Sequence, residues 1–152
     1  MLQEKNKFAI EVITKKPKIV DGLLSYWGKI TIGDYQDIFV IPLSNWTIEQ
    51  YKEQWGEGLE RIKTHNSSCI ITDIRTVKIR PKSICVELWF LYKLDSIVFL
   101  QNRILGGAVL KEMEVDLFPF DLNTFYLRIP PRKNLTENGR KIVEWSVNIS
   151  DI

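Results

Sequence analysis

The sequence predicts an α+β fold, a mostly antiparallel β-sheet with one main amphipathic helix, about residues 47–63, packed on it. Most apolar segments alternate with polar residues at a period of two, which is typical of strands with one buried face. One segment alone carries large apolar residues at helical spacing. The 152 residues have the size of one ordinary domain and contain no repeat or linker-like segment. We therefore predict a single domain over residues 1–152.

Turn residues separate the predicted strands. Gly33-Asp34 is a favoured two-residue hairpin loop, because glycine accepts the positive φ that such turns require. A second hairpin is predicted around Leu94-Asp95. The predicted strands are 6–14, 25–32, 35–43, 68–75, 83–93, 96–102, 110–118, 123–129 and 141–150. The last one is predicted to turn four apolar side chains inward: Val143, Trp145, Val147 and Ile149.

The helix is predicted from its start signal and its apolar face. Thr47 is a preferred N-cap residue, and Gln50 three residues later completes a T-x-x-Q capping box. Trp46 before the cap and Tyr51 in the first turn have the spacing of a hydrophobic staple. Apolar residues at spacings of three and four then predict one buried stripe: Ile48, Tyr51, Trp55, Leu59 and Ile62.

Two glycines, Gly56 and Gly58, interrupt this helix. Each costs about 1 kcal/mol relative to alanine in a helix interior. Packing of the large apolar residues on a sheet is expected to offset that cost. Glycine can also let a strand or another backbone approach closely.

Few side chains could support catalysis. His65 is the only histidine, so any mechanism that needs two histidines is excluded. It could act as a general base near Ser67 or Ser68 with Asp73, but we favour a loop histidine stabilised by the helix C-terminus. The sequence contains no phosphate-loop or dinucleotide motif. We therefore expect neither an enzyme nor a bound cofactor or metal ion.

Charge and cysteine usage narrow the functional classes further. Lys and Arg number 21 and Asp and Glu 19, and this +2 balance argues against nucleic acid or an anionic membrane as a partner. The sequence has no apolar run of the roughly 18 residues that span a membrane, and no signal-peptide pattern. Cys69 and Cys85 lie in apolar segments, which favours buried free thiols over a structural disulfide. A cytoplasmic location is expected.

Short basic segments support an alternative hypothesis. TKKPK, KIRPK and PPRK are scattered along the chain, and basic residues beside aromatic ones, as in FYLR (125–128), could form an RNA-binding platform on a sheet. The sequence has no RNP-like motif, and its near-neutral charge disfavours a surface that follows phosphates. A small RNA- or nucleic-acid-binding α+β module therefore remains the alternative function.

Carboxylates form three groups that could bind a cationic protein surface. The helix side opposite the apolar stripe carries Glu49, Glu53, Glu57 and Glu60. The first hairpin carries Asp34 and Asp37, and one face of segment 110–118 carries Glu112, Glu114 and Asp116. A solvated surface is the alternative interpretation of each group, and the last could also hold Mg²⁺ or Ca²⁺. Because complementary charge raises association rates and selects partners, these nine residues are our predicted partner-binding set.

Several segments, taken in order, resemble one known family. They are SYWGKITIGDYQDIFVIPLSNWTIEQYKEQWGEGLERI, SSCIIT, WFLYKLDSIVFLQNRIL and ENGRKIVEWSVNI, within residues 25–149. A strand hairpin, a helix of pattern W-[ST]-I-x-x-Y-K-x-Q-W, an SC strand, an aromatic hairpin and a closing EWS strand follow one another. This order is similar to that of CdiI-type immunity proteins of bacterial contact-dependent growth inhibition (CDI) systems.

The resemblance implies binding rather than catalysis. Such a protein would form a 1:1 complex in the cytoplasm with the cognate C-terminal toxin domain of a CDI exoprotein, and would protect the producing cell. CDI toxins are often nucleases, RNases in particular, with basic clefts that acidic groups complement. The resemblance transfers no toxin-contacting residues. It implies that the matched tryptophans belong to the core: Trp27, Trp46, Trp55, Trp89 and Trp145.

Overall fold

The computed structural model describes residues 7–77, 83–113 and 125–152. These residues form two four-stranded antiparallel sheets and one long helix, which confirms the predicted α+β class. The strands are β1 (Phe8–Val12), β2 (Lys18–Val20), β3 (Leu23–Ile32), β4 (Tyr35–Pro42), β5 (Ser67–Val77), β6 (Ser83–Leu94), β7 (Ile97–Leu105) and β8 (Trp145–Asn148). The helices are α1 (Ile48–Ile62), α2 (Gly107–Glu112) and two 3-10 helices, Phe125–Arg128 and Ile149–Asp151.

The first sheet is built around β3. Strand β4 pairs with one edge of β3, and β1 and β2 pair with successive parts of the other edge. The β3–β4 hairpin turns at Gly33-Asp34 as predicted, with Gly33 at φ 62°. Strand β2 was not predicted. It forms an additional hairpin with β3, which turns at Asp21-Gly22. The φ values of these two residues, 49° and 81°, suit a primed turn.

The second sheet has the strand order β5-β6-β7-β8. The predicted hairpin around Leu94-Asp95 is confirmed, and Asp95 adopts a positive φ of 55° between β6 and β7. A bulge in β5 between Ile71 and Asp73 shifts the register of the β5–β6 pair, so that Asp73 lies opposite Glu87.

Helix α1 packs with its predicted apolar stripe inward. Tyr51, Trp55 and Ile62 are buried, and the two other stripe residues are half-buried. The Trp55 ring meets the Phe39 ring of β4 edge to face, with centroids 6.1 Å apart. Among the five tryptophans, Trp55 and Trp89 are fully buried, whereas the remaining three are half-buried: Trp27, Trp46 and Trp145.

Aromatic contacts also join the two sheets. The Tyr35 ring at the start of β4 lies 4.4 Å, between centroids, from the Trp145 ring of β8. Trp145 in turn meets the buried ring of Trp89 on β6, with centroids 5.4 Å apart. The β3–β4 hairpin therefore packs against β8.

The start of α1 has the predicted capping box. The N–H of Gln50 donates to Thr47 Oγ1 at 3.2 Å, and the N–H of Thr47 donates to Gln50 Oε1 at 2.9 Å. The predicted staple is present too, because the Trp46 and Tyr51 rings meet edge to face with centroids 5.1 Å apart. These contacts fix the residue at which α1 begins.

The two helix glycines have different surroundings. A Cβ at Gly58 would overlap the carbonyl oxygen of Cys69 and lie 3.0 Å from Ile70 Cγ2, so Gly58 permits the close approach of α1 to β5. A Cβ at Gly56 would meet no atom within 4 Å. Close packing therefore explains Gly58 but not Gly56.

Two strand predictions are wrong for the residues that the structure describes. Residues 110–112 of the predicted strand 110–118 lie in α2, because a helical turn closes the bond from Leu110 N to Gly106 O at 3.0 Å and buries Leu110 completely. Residues 114–118 lie outside the described residues. In the predicted strand 123–129, a 3-10 helix buries Phe125 and leaves Leu127 66% exposed, and residues 123 and 124 are outside the described part.

The inward row predicted for the last strand is only partly correct. Val147 is buried, and Trp145 and Ile149 are half-buried against the core. Val143 is instead 66% exposed. Pairing with β7 begins only at Trp145, so Val143 precedes the ladder and has no sheet face to occupy.

Candidate functional site

Helix α1 covers the outer edge of β5 with hydrogen-bonding side chains. Gln54 Nε2 donates to the carbonyl oxygen of Ile71 at 2.5 Å, and Gln54 Oε1 accepts from the N–H of Ile71 at 2.9 Å. Trp55 Nε1 donates to the same carbonyl oxygen at 2.6 Å, and the Tyr51 hydroxyl accepts from the N–H of Ile74 at 3.1 Å. Since β5 ends its sheet, these side chains satisfy backbone groups that a neighbouring strand would otherwise pair.

These hydrogen bonds hold α1 against β5. Burial raises the pKa of Tyr51 above its ordinary value, so the hydroxyl stays protonated and also donates to the carbonyl oxygen of Pro42 at 2.7 Å. Gln54 is 8% exposed and was missed by the sequence analysis. A polar residue beside an apolar stripe gives no signal that it is buried.

The opposite face of α1 carries the four predicted glutamates, which we call the acidic stripe: Glu49, Glu53, Glu57 and Glu60. All four are exposed. Lys63 Nζ lies 3.1 Å from Glu60 Oε2, an exposed pair of the kind that adds little stability. The Arg61 guanidinium lies 4.2 Å from the centroid of the Tyr126 ring. Helix α1 is therefore divided lengthwise into a structural face and a solvent-exposed acidic face.

The structure places the other predicted carboxylates on separate elements. Asp34 is exposed at the tip of the first hairpin, and Asp37 is half-buried on β4. Glu112 is exposed at the end of α2. Glu114 and Asp116 lie outside the described residues. The described members of the predicted set therefore share no single element, and the acidic stripe is the largest group on one helix.

Three carboxylates that the sequence did not bring together interact through their charges: Asp37 on β4, Asp73 on β5 and Glu87 on β6. Burial raises the pKa of Glu87, as do the charges of Asp73 and Asp37, while a hydrogen bond from Asn102 opposes the shift. Arg75 binds Asp73 through two nitrogens at 2.5 and 3.0 Å. The charge of the same guanidinium also opposes the rise in the pKa of Glu87, so Arg75 acts on two of the three carboxylates.

The structure does not assemble the triad considered for His65. The exposed His65 ring contacts the hydroxyl of Thr64 at 3.0 Å. Ser68 is fully buried, and its hydroxyl donates to the carbonyl oxygen of Gly58 at 2.7 Å. Asp73 is bound to Arg75, so the three side chains have separate partners. Across the described residues no group of three His, Cys, Asp or Glu could hold a metal ion.

Both cysteines are free thiols. Cys69 is buried as predicted, and burial raises the pKa of its thiol to about 12. Cys85 is half-buried rather than buried, and burial together with the charge of Asp73 raises its pKa as well. At neutral pH neither thiol is ionised, which disfavours a reactive nucleophile.

The aromatic residues of the alternative RNA-binding platform do not lie on a strand. FYLR forms a 3-10 helix rather than a strand, Phe125 is 1% exposed, and Tyr126 contacts the Arg61 and His65 side chains. The KIRPK segment, 78–82, lies outside the described residues. Within the ranges that the structure covers, no helix is long and apolar enough to cross a membrane.

The chain is similar to known proteins of one family. The family model described as the CdiI N-terminal domain matches residues 41–152, which is well over half of the chain. The chain belongs to the CdiI immunity protein family. The family resemblance noted in the sequence is thereby confirmed, and with it the expectation that the protein is not an enzyme.

One CdiI relative is similar over most of its length. The immunity protein CdiI of Enterobacter cloacae subsp. cloacae is 30% identical over 141 residues, which cover 90% of this chain and 88% of the relative. A chain from the solved CdiA-CT/CdiI toxin and immunity complex of Enterobacter cloacae superposes with a TM-score of 0.75 at 26% identity. That match covers 94% of this chain and 91% of the other.

Proposed function

We propose that this CdiI family member binds the cognate C-terminal toxin domain of a CDI exoprotein as a 1:1 complex and neutralises it. The proposal rests on the similarity to an immunity protein over 90% of the chain. The superposition on a chain from a toxin–immunity complex supports it. The complex would form in the cytoplasm of the producing cell, where the toxin would otherwise act, and protect that cell.

We further propose that the toxin is a nuclease, most simply an RNase, and that the acidic stripe contributes to its binding. A nuclease presents cationic side chains to the phosphates of its substrate, and an exposed row of carboxylates complements such a surface. The four glutamates stand on a helix whose other face is held by buried hydrogen bonds. They therefore meet a partner without any rearrangement of the core.

The other members of the predicted partner-binding set are assigned a weaker role. Asp34 and Asp37 on the first hairpin, and Glu112 with Glu114 and Asp116 farther along the chain, belong to the same proposed partner-binding set. Among them, Asp37 lies close enough to Glu87 for the two carboxylates to interact electrostatically.

Co-expression tests the function as a whole. The toxin domain encoded immediately upstream of this chain is produced in cells with and without it. We expect growth to be restored only when this chain is present, and the purified proteins to associate tightly with one copy of each. Absence of binding to that toxin domain would refute the proposal. Steeply salt-dependent retention on RNA would instead favour the nucleic-acid-binding alternative.

Charge reversal tests the acidic stripe. In the double variant Glu53→Lys with Glu57→Lys, each reversal is expected to cost about 1 kcal/mol of binding free energy, so the two together should raise the Kd by roughly 30-fold. The matched control is Glu137→Lys with Asp151→Lys, two exposed carboxylates outside α1 that give the same change in net charge.

Salt dependence separates a local contact from a general charge effect. The loss in the stripe variant should shrink as ionic strength rises, because the Debye length falls from about 10 Å at 0.1 M to about 3 Å at 1 M. The control should bind the toxin nearly as well as the natural protein at every salt concentration. Equal Kd values for the stripe variant and the natural protein would show that the stripe is merely solvated.

A further inference from the structure

Strand β1 has one edge that no described strand occupies. Among the described residues β1 pairs with β3 alone. At its two ends, the N–H of Gly33 donates to Lys7 O at 2.7 Å, and the N–H of Ile13 donates to Trp27 O at 2.9 Å. Antiparallel pairing alternates along a strand, so the odd-numbered residues of β1 point their backbone groups at β3.

The even-numbered residues of β1 therefore direct their N–H and C=O groups away from the sheet. These are Phe8, Ile10 and Val12. Their side chains lie on the inner face, since their partners across the ladder include the buried Ile30 and Ile32. Each of the three thus combines a half-buried apolar side chain with backbone groups that no strand among the described residues pairs.

A groove runs between this edge and α1. It has a volume of about 440 Å³ and is lined by Ile10, Glu11 and Val12 of β1 and by Lys52, Trp55, Gly56 and Leu59 of α1. Apolar side chains from both elements line its walls. Where a side chain at position 56 would stand, the space is open, because a Cβ there would meet no atom within 4 Å.

Carboxylates flank the groove on the helix side, whereas its lining holds one charge of each sign, Lys52 and Glu11. Glu53 is three residues before Gly56, Glu60 is four residues after it, and Glu49 is seven residues before it, so all three lie on the helix flank that carries Gly56. Part of the acidic stripe therefore borders the groove on its solvent side. An occupant with basic side chains would meet carboxylates there, while its apolar side chains entered the groove.

The outer edges of β5 and β1 have different surroundings. Gln54, Trp55 and Tyr51 close the edge of β5 with direct hydrogen bonds. Within the described part of the chain, the same helix makes no such bonds to the edge of β1, and it presents a glycine to the groove there. An uncovered edge next to an apolar groove has the features of a site for strand addition, in which main-chain bonds supply affinity and alternate side chains supply specificity.

We propose that an extended segment of the toxin domain adds to β1 as a further strand and occupies this groove. This proposal rests on the proposed function and names how the toxin is held. The segment has apolar side chains at alternate positions, which enter the groove between Ile10 and Leu59. Its intervening or flanking basic side chains meet the glutamates that flank the groove. Position 56 must carry a small residue, because a large side chain would fill the space that the segment takes.

Amide hydrogen exchange, followed by NMR in the free protein and in its toxin complex, provides the first test. The amides of Phe8, Ile10 and Val12 should exchange rapidly in the free protein and at least about tenfold more slowly in the complex. The amides of Ala9 and Glu11 bond to β3 in both states, so they serve as an internal control. A complex in which the first three amides remain unprotected would overturn the strand-addition proposal and leave the proposed function intact.

Substitution at Gly56 is the second test. Gly56→Tyr should fill the groove and raise the Kd for the toxin domain on the order of 30-fold, whereas Gly56→Ala should leave it within about threefold. Slow exchange of the Ala9 and Glu11 amides in both variants would verify that β1 is intact. Equal toxin affinity of the two variants would contradict the proposal. If even the natural protein forms no complex, the proposed function fails, and strand addition fails with it.

Discussion

Alanine substitutions at Gly56 and Gly58 should change stability in opposite directions. Both positions lie inside α1, where glycine costs about 1 kcal/mol relative to alanine. At Gly56 the new Cβ meets no atom within 4 Å, so the full gain is expected. At Gly58 the new Cβ would overlap the carbonyl oxygen of Cys69, which belongs to the β5 backbone.

The expected magnitudes follow from these surroundings. Gly56→Ala should raise the free energy of unfolding by about 0.5 to 1 kcal/mol. Overpacking costs about 1 to 3 kcal/mol, and the obstacle at Gly58 is backbone paired with β6, which cannot rotate away as a side chain could. After subtraction of the helix gain, Gly58→Ala should lower the free energy of unfolding by up to about 2 kcal/mol. The two variants should therefore differ by roughly 1 to 3 kcal/mol.

Urea denaturation followed by circular dichroism measures this difference. For a chain of this size each kcal/mol shifts Tm by about 2 to 4 °C, so thermal unfolding gives an independent value. Unchanged m values would show that the variants differ in stability and not in the compactness of either state. If Gly58→Ala stabilised the protein as much as Gly56→Ala does, the inferred close approach of α1 to β5 would be wrong.

Three further predictions concern single side chains. Thr47→Ala should lower the free energy of unfolding by about 1 kcal/mol through loss of the cap, and Thr47→Gly by only a few tenths, as measured by urea titration. Arg132→Ala should cost about 1 to 2 kcal/mol in the same assay, because its guanidinium binds both oxygens of Glu144 and lies 4.0 Å from the centroid of the Phe99 ring. Burial raises the pKa of Glu87, so ionisation opposes folding as pH rises above the unfolded-state pKa. Glu87→Gln should therefore raise Tm at about pH 7, and this gain should vanish below about pH 4.

The sequence correctly predicted the features of the fold that are formed by residues close together in the chain. The capping box at Thr47 and Gln50, the staple of Trp46 on Tyr51 and the stripe on α1 depend only on residues within a few positions of one another. The Gly33-Asp34 hairpin likewise follows from its turn residues. Asp21-Gly22 carried an equally good turn signal, and β2 was missed because its three residues are too short to show alternation.

The predictions were wrong where the apolar pattern of a segment fits both a helix and a strand. Leu110 and Met113 are three residues apart and suit a helical turn, although the segment also alternates as a strand would. The preceding glycine and the burial of Leu110 favour the helix. Short segments of this kind are decided by tertiary packing, which periodicity does not report.

The sequence predicted only those parts of the candidate site whose carboxylates lie on one helix or one strand. The acidic stripe could be read from α1 alone, because helix geometry fixes which residues share a face. The cluster of Asp37, Asp73 and Glu87 could not, since it depends on strand register and on a bulge in β5. The groove beside β1 depends on which edge a distant helix covers, and alternation along a strand identifies faces but not neighbours.

The lengthwise division of α1 has a consequence for how such proteins diversify. Substitutions at exposed positions away from structural contacts usually change stability by no more than about 0.5 kcal/mol. Most of the acidic stripe meets this condition, whereas Tyr51, Gln54 and Trp55 hold the backbone of β5 in place. Under the proposed function, folding and recognition therefore use different atoms of one helix. The exposed residues can then be exchanged one at a time as the partner changes, with little cost to the stability of the fold.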